Sequence, residues 1–173
     1  MSVTALRAGL AVRYEDPSQL DGIERGLFAA QPLWIARRAV VEADGRWHWS
    51  RRDLTPRELP RCEHAIRRCG LSLEVAVLRG GRMVVSDVII ARPFWERNAL
   101  AARLGFDLHA HPLRGIAQVN RLLDAWSRRR DCRGALLKRV DASYPWLPRY
   151  ERRVPEWVAL RLPIAIGAGR QEG

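Results

Sequence analysis

Two glycine-marked turns constrain this 173-residue chain more than any other feature. Asp44-Gly45 separates residues 33–42 from 46–51, and Gly80-Gly81 separates residues 71–78 from 83–90. All four flanking segments read as strands, so each turn predicts an antiparallel hairpin. Helical signals fall between and after them. Thr55-Pro56-Arg57-Glu58 resembles a capping box, with Leu59, Cys62, Ile66 and Cys69 spaced along one face as far as Gly70. Pro93 opens a helix to Leu104, with Gly105 as its stop, and residues 116–130 form an amphipathic helix with Ile116, Val119, Leu122, Leu123 and Trp126 on one side. Leu20, Ile23, Glu24 and Leu27 also stand at helical spacing. Residues 106–109, 135–140 and 157–162 are the remaining strand candidates. Hairpins mixed with covering helices predict an α+β domain of antiparallel sheets rather than a doubly wound one. The expected organisation is an N-terminal segment at 1–30 packing on a core at 31–163, and a frayed tail at 164–173.

Composition narrows the partners. Apolar residues make up 47% and charged residues 28%, a globular balance that excludes disorder. Thirty basic residues against nineteen acidic ones give a net charge of +11, enough to attract a polyanion such as nucleic acid. An Arg-rich but merely solvated surface is the competing explanation. Every basic residue but Lys138 is arginine. Cys62, Cys69 and Cys132 form no CxxC pair, and Cys62 with His64 and Cys69 matches no common metal spacing. His109 and His111 lack a third ligand, so no metal is expected. No stretch approaches the roughly 20 apolar residues of a membrane span, and Glu15 and Asp16 interrupt any leader-like start. The expectation is a cytoplasmic protein with no membrane contact.

The order of the segments carries a resemblance. Gln31-Pro32-Leu33-Trp34-Ile35-Ala36-Arg37-Arg38-Ala39, then the Asp-Gly hairpin and Trp49-Ser50-Arg51-Arg52-Asp53-Leu54-Thr55, is similar to the start of an ATP-dependent DNA ligase adenylation domain. There the run reads approximately E-P-K-W-D-G-x-R-A. Leu73-Glu74-Val75-Ala76-Val77 sits where that family has D-G-E-L-V-V. Val84-Val85-Ser86-Asp87-Val88-Ile89 and Arg92-Pro93-Phe94-Trp95-Glu96-Arg97 resemble the next motif. Arg133-Gly134-Ala135-Leu136-Leu137-Lys138-Arg139 resembles E-G-V-V-A-K-R, and Trp157-Val158-Ala159-Leu160-Arg161 the closing W-L-K-V-K. The resemblance covers about residues 31–162 and implies a nucleotidyltransferase core.

What the resemblance implies about chemistry is mostly loss. The family's lysine attacks the α-phosphate of ATP, and it must be at least partly neutral to do so. Leu33 stands at that position. Arg133 reverses the charge of a glutamate that helps hold the metal, and Ala159 replaces one of two phosphate-gripping lysines. Arg37 and Arg38 cannot substitute, because a guanidinium stays protonated. Residues available to a nucleotide, if one binds, are Arg38, Glu74, Lys138 and Arg161. The implied protein is a non-catalytic, ligase-like binder of nucleic acid or of a partner protein, without a cofactor. A divergent ligase or nucleotidyltransferase using ATP and Mg²⁺, with Lys138 as substitute nucleophile or by a non-covalent mechanism, is a second reading. A viral or mobile-element inhibitor is a third. Twelve residues follow Arg161, too few for the oligonucleotide-binding domain usual in ligases, so nick sealing is not expected.

The arginine clusters expected to touch phosphates are Arg51-Arg52, Arg128-Arg129-Arg130 and Arg152-Arg153. Arg128–Arg130 equally suits a helix C-terminus, where cations complement the macrodipole. Trp47 and Trp49 share one strand face, which favours a buried face over a base-stacking platform.

Overall fold

A computed structural model of the chain describes residues 13–14, 22–49, 69–145 and 157–161. Among them, nine strands form two sheets: β1 (Arg13–Tyr14), β2 (Phe28–Trp34), β3 (Ala36–Val41), β4 (Trp47–Trp49), β5 (Leu73–Leu78), β6 (Met83–Val88), β7 (His111–Pro112), β8 (Cys132–Arg139) and β9 (Trp157–Arg161). Two helices accompany them, α1 (Phe94–Arg103) and α2 (Ile116–Ser127). The five-stranded sheet runs β1-β9-β8-β2-β7 and the four-stranded sheet β4-β3-β5-β6. All neighbours are antiparallel except β1 and β9. The α+β class holds.

Both hairpins form as the turns predict. Val41 faces Trp47 across the first, and the Asp44 carboxylate accepts the Arg46 amide proton at 3.0 Å while Gly45 takes φ 85°. A side chain at Gly45 would meet steric cost in that left-handed conformation. Val77 faces Met83 across the second, closed by the Leu78 amide donating to the Arg82 carbonyl at 2.8 Å.

The strand expected at 33–42 is two strands in two different sheets. β2 ends at Trp34, β3 begins at Ala36, and the chain crosses between sheets at Ile35, whose amide donates to the Asp131 carbonyl at 2.8 Å. Pro32 enters β2 because its neighbour β7 reaches only Ala29 and Ala30, leaving that side of the strand without a ladder to break. A register shift follows between Pro32 and Trp34.

Other expectations move by local chemistry. Residues 22–26 form turns rather than a helix, because Gly22 and Gly26 adopt φ 109° and 71°. The strand expected at 106–109 is absent: the Asp107 carboxylate captures the His109 amide at 2.6 Å and His109 turns to φ 51°. Pairing resumes at β7. α2 stops at Ser127 rather than Arg130, as the Arg129 amide folds back onto the Trp126 carbonyl. Pro93 precedes α1 as expected, and the Phe106 amide closes its far end on the Ala101 carbonyl at 2.9 Å. The capping-box helix, with Cys62 and His64, lies outside the described residues apart from its end at Cys69-Gly70.

Four buried clusters lie among the described residues, the smallest made of Trp34, Ala76, Leu78 and Val84; the other three join sheets and helices. Ile23, Phe28, Ala30, Leu137 and Leu160 pack with Val119 and Trp126 of α2. Val75, Val85 and Val88 of the smaller sheet pack with Phe94 and Ala101 of α1, and Trp47 leans on the same cluster. Leu33, Val40, Ile89, Leu136, Tyr144, Trp157 and Ala159 form a third, drawn from both sheets. Each aliphatic side chain so buried contributes about 1.5–3 kcal/mol relative to exposure.

Candidate functional site

The third cluster adjoins a buried polar network at the place where the sheets face each other. An acidic residue inside an apolar strand must find partners, since an isolated buried charge is costly. Asp87, near the end of β6, meets that need twice. Arg97 of α1 donates to it from Nε at 2.8 Å and Nη2 at 3.1 Å, and Lys138 of β8 donates from Nζ at 2.8 Å. Lys138 also donates to the Ser86 carbonyl at 3.1 Å, and its ammonium lies 4.3 Å from the centre of the Trp157 ring. Asp87, Arg97 and Lys138 are all buried.

Glu74 on β5 is the second buried carboxylate. It accepts from Tyr144 Oη at 3.1 Å and pairs with Arg38 at 3.3 Å. Arg38 is the network's one link to solvent, at 13% exposure. Beside them Gln31 donates from Nε2 to the carbonyls of Ser86 and Leu108, at 3.0 and 2.7 Å.

Proton affinities follow from these partners. Burial alone would raise the Asp87 carboxyl, yet the Lys138 and Arg97 charges bring it below its ordinary 3.8. Burial pushes the Lys138 ammonium down from 10.5, while Asp87 and Glu74 hold it up. Burial, with the Glu74 and Asp87 charges behind it, pushes the Tyr144 hydroxyl well above 10.0.

Of the residues singled out in the sequence, Arg38, Glu74 and Lys138 therefore converge, and Leu33 and Ala159 join the apolar cluster next to them. Arg133 stands apart, exposed near the start of β8. Arg161 pairs through its backbone with Gly134, and its side chain lies outside those described. Asp87, Arg97 and Tyr144 were missed as site residues. An aspartate within Val84–Ile89 and an arginine on the apolar side of α1 were the available signals.

Among the surface clusters, Arg128 and Arg130 are exposed, while Arg129 lies over the Trp34 ring at 4.6 Å. Arg51, Arg52, Arg152 and Arg153 fall outside the described residues. His109 pairs with Asp107 and stacks edge-on to Trp34, and His111 tilts against Trp126. Among the described residues, no group of three or more potential ligands could hold a metal, and no helix is long and apolar enough to cross a membrane.

No family model and no curated protein matches the sequence. Solved structures do match the fold. A Lig E DNA ligase, described as binding DNA with a minimal scaffold, superposes with a TM-score of 0.66 at 11% identity, over 89% of this chain and 68% of that one. The ligase domain of LigD from M. tuberculosis gives 0.60 at 19% identity, and an archaeal ATP-dependent RNA ligase 0.56 at 14%. This chain spans 60% of the LigD chain and 48% of the RNA ligase chain. The architecture of two facing sheets with covering helices is thus that of ATP-dependent DNA and RNA ligase domains.

Proposed function

We propose that this chain is a ligase-fold protein that forms no covalent adenylate and binds nucleic acid or a protein partner through its basic surface. One observation carries the reading: where the sheets face each other, the described side chains pack against and pair with one another. Leu33, Leu136, Tyr144, Trp157 and Ala159 pack together there, and the two carboxylates are engaged by Arg38, Arg97 and Lys138.

Covalent nucleotidyl transfer requires a neutral amine lone pair aimed at the α-phosphate. Lys138 is the only lysine in the chain. Its hydrogens point at Asp87, at the Ser86 carbonyl and towards the Trp157 ring, in a position with no solvent exposure. Attack from there would require breaking a buried ion pair and displacing Trp157. By the sequence resemblance Leu33 takes the lysine position, and an alkyl group offers no nucleophile.

A nucleoside triphosphate fits poorly against these residues. Its phosphates would need open cationic donors, and among the described residues of the network Arg38, Arg97 and Lys138 are already paired. One buried acceptor, Gln31 Oε1, has no partner among the described residues, too little to build a nucleotide site. The ligase fold and the charge of +11 support nucleic acid as the partner class.

Intact-protein mass after incubation with ATP and Mg²⁺ or Mn²⁺ tests the first half of the proposal. The expected mass is unchanged. A gain of one AMP overturns it, and loss of that gain in Lys138→Ala would identify the nucleophile. Anisotropy titration with DNA and RNA at low salt tests the second half. Absence of association with both would leave an acidic protein as the partner.

A further inference from the structure

Three segments distant in sequence meet around Asp131. The crossing between sheets brings Ile35, whose amide binds the Asp131 carbonyl. The turn between β5 and β6 brings Arg82, whose guanidinium pairs with the Asp131 carboxylate. The end of α2 brings Arg129, 3.5 Å from the same carboxylate and stacked on Trp34. Pairing of Trp34 with Cys132 and of Ala36 with Leu78 fixes these segments at one end of both sheets.

The charge at this junction is one-sided. Segments 33–41, 76–86 and 125–139 contain one carboxylate, Asp131. Arg79, Arg128, Arg130 and Arg133 are exposed here, and none has an ion-pair partner among the described residues. Ile35, 50% exposed, sits among them. Beneath them the Trp34 ring is buried, capped by Arg129 and met edge-on by His109.

Resting on the nucleic-acid reading above, we infer that this arginine rim is the contact surface, and that it grips the phosphate backbone of duplex DNA with Ile35 against the sugar edge. Guanidinium forks match phosphate oxygens, and arginines without internal partners need break nothing to bind. Asp131 plays a supporting part, holding Arg82 and Arg129 so that the hairpin turn and the helix end present their charges together. The exposed tryptophan among the described residues, Trp95, stands beside Val140 at the far end of β8 and not in the rim, so the rim predicts sequence-independent binding in which duplex is bound at least as well as single strand.

The test compares the wild-type chain with a variant carrying Arg79→Ala, Arg128→Ala, Arg130→Ala and Arg133→Ala. The control carries Arg103→Ala and Arg114→Ala, exposed arginines of the last turn of α1 and of the segment before α2. Anisotropy titrations use a duplex of about 20 base pairs between about 50 and 200 mM salt. The rim variant should lose on the order of tenfold or more in affinity, with its log–log salt slope flatter by about 0.9 for each phosphate contact removed. The control should change far less. Ile35→Glu, at an exposed position, should weaken binding while the thermal midpoint stays put.

Equal losses in rim and control variants, or an unchanged rim variant beside a binding wild type, would overturn the rim while leaving nucleic-acid binding intact. A wild type that ignores duplex and single strand at low salt overturns both. Single-strand binding much tighter than duplex would also reject the inference, since it requires a stacking platform elsewhere. Poly-glutamate bound in place of DNA would assign the rim to an acidic protein.

Discussion

The interior between the sheets and the arginine rim draw on the same residue type with opposite outcomes. Inside, Arg38, Arg97 and Lys138 face Glu74 and Asp87, every group has a partner, and all but Arg38 are sealed from water. Outside, Arg79, Arg82, Arg128, Arg129, Arg130 and Arg133 share the single carboxylate of Asp131, which engages two of them. A net charge of +11 does not distinguish the two sets. Burial and partnering do. A buried pair broken on one side leaves an uncompensated charge, whereas an exposed arginine loses little and remains available to an external anion. One region holds the fold, and the other, on the reading proposed above, is left to meet a ligand.

The sharpest way to break this contrast is to remove Asp87. Asp87→Ala leaves two buried cations, Arg97 and Lys138, without their carboxylate. The expected loss of folding stability is about 3–5 kcal/mol, read as a lower midpoint in urea. If the variant unfolds within about 0.5 kcal/mol of wild type, the network is not sealed and the separation of roles collapses.

The contrast sharpens further with pH. A carboxyl whose folded pKa is depressed contributes stability above its unfolded value and loses it as pH falls through the folded one. For Asp87 that places the loss below about 3.8. Tyr144 titrates in the other direction. Its folded pKa is raised, so folding holds a proton that the unfolded chain releases, and this contribution is complete below 10.0 and fades as pH climbs above it. Tyr144→Phe should remove the alkaline fall and cost about 1–3 kcal/mol at neutral pH, because Glu74 loses a buried donor and, among the described residues, keeps Arg38. An alkaline limb unchanged in Tyr144→Phe would mean that the hydroxyl is not held as the geometry has it.

Much of the fold was legible because its turns are written in residues with few alternatives. Asp44-Gly45, Gly80-Gly81, Pro93 and Gly105 each mark a boundary that the structure honours within a residue or two. The crossing at Ile35 was not legible. Leu33 to Glu42 reads through without a turn signal, and the Asp131 carbonyl that receives the Ile35 amide at the change of sheet lies nearly a hundred residues away. His109 shows the same limit at shorter range, where one aspartate side chain cancels a strand.

The site was half legible for a related reason. Arg38, Glu74 and Lys138 stood out by resemblance to ligase motifs, and the structure brings them together. Their partners Asp87 and Arg97 lie in the same motifs without an evident role, and Tyr144 lies just beyond them, because strand alternation alone does not say which buried charge meets which. The rim was less legible still. Arg128–Arg130 stand out as a run, but Arg79, Arg82 and Arg133 are isolated in sequence and join it only through the topology.

The smallest expected effect completes the comparison from the outer side. Arg128 and Arg130 follow α2, are exposed, and have no ion-pair partner among the described residues. As cations at a helix C-terminus they gain at most a few tenths of a kcal/mol from the macrodipole, and that gain is screened by salt. Arg128→Ala and Arg130→Ala should each shift stability by no more than about 0.5 kcal/mol in urea denaturation. Arg82→Ala, which removes a surface pair with Asp131, should cost under about 1 kcal/mol. Interior and rim would then differ several-fold in their weight on folding for substitutions of comparable size. Should Arg128→Ala instead destabilise the chain as Asp87→Ala does, the run at the end of α2 is structural, and its charge is already spent on the fold.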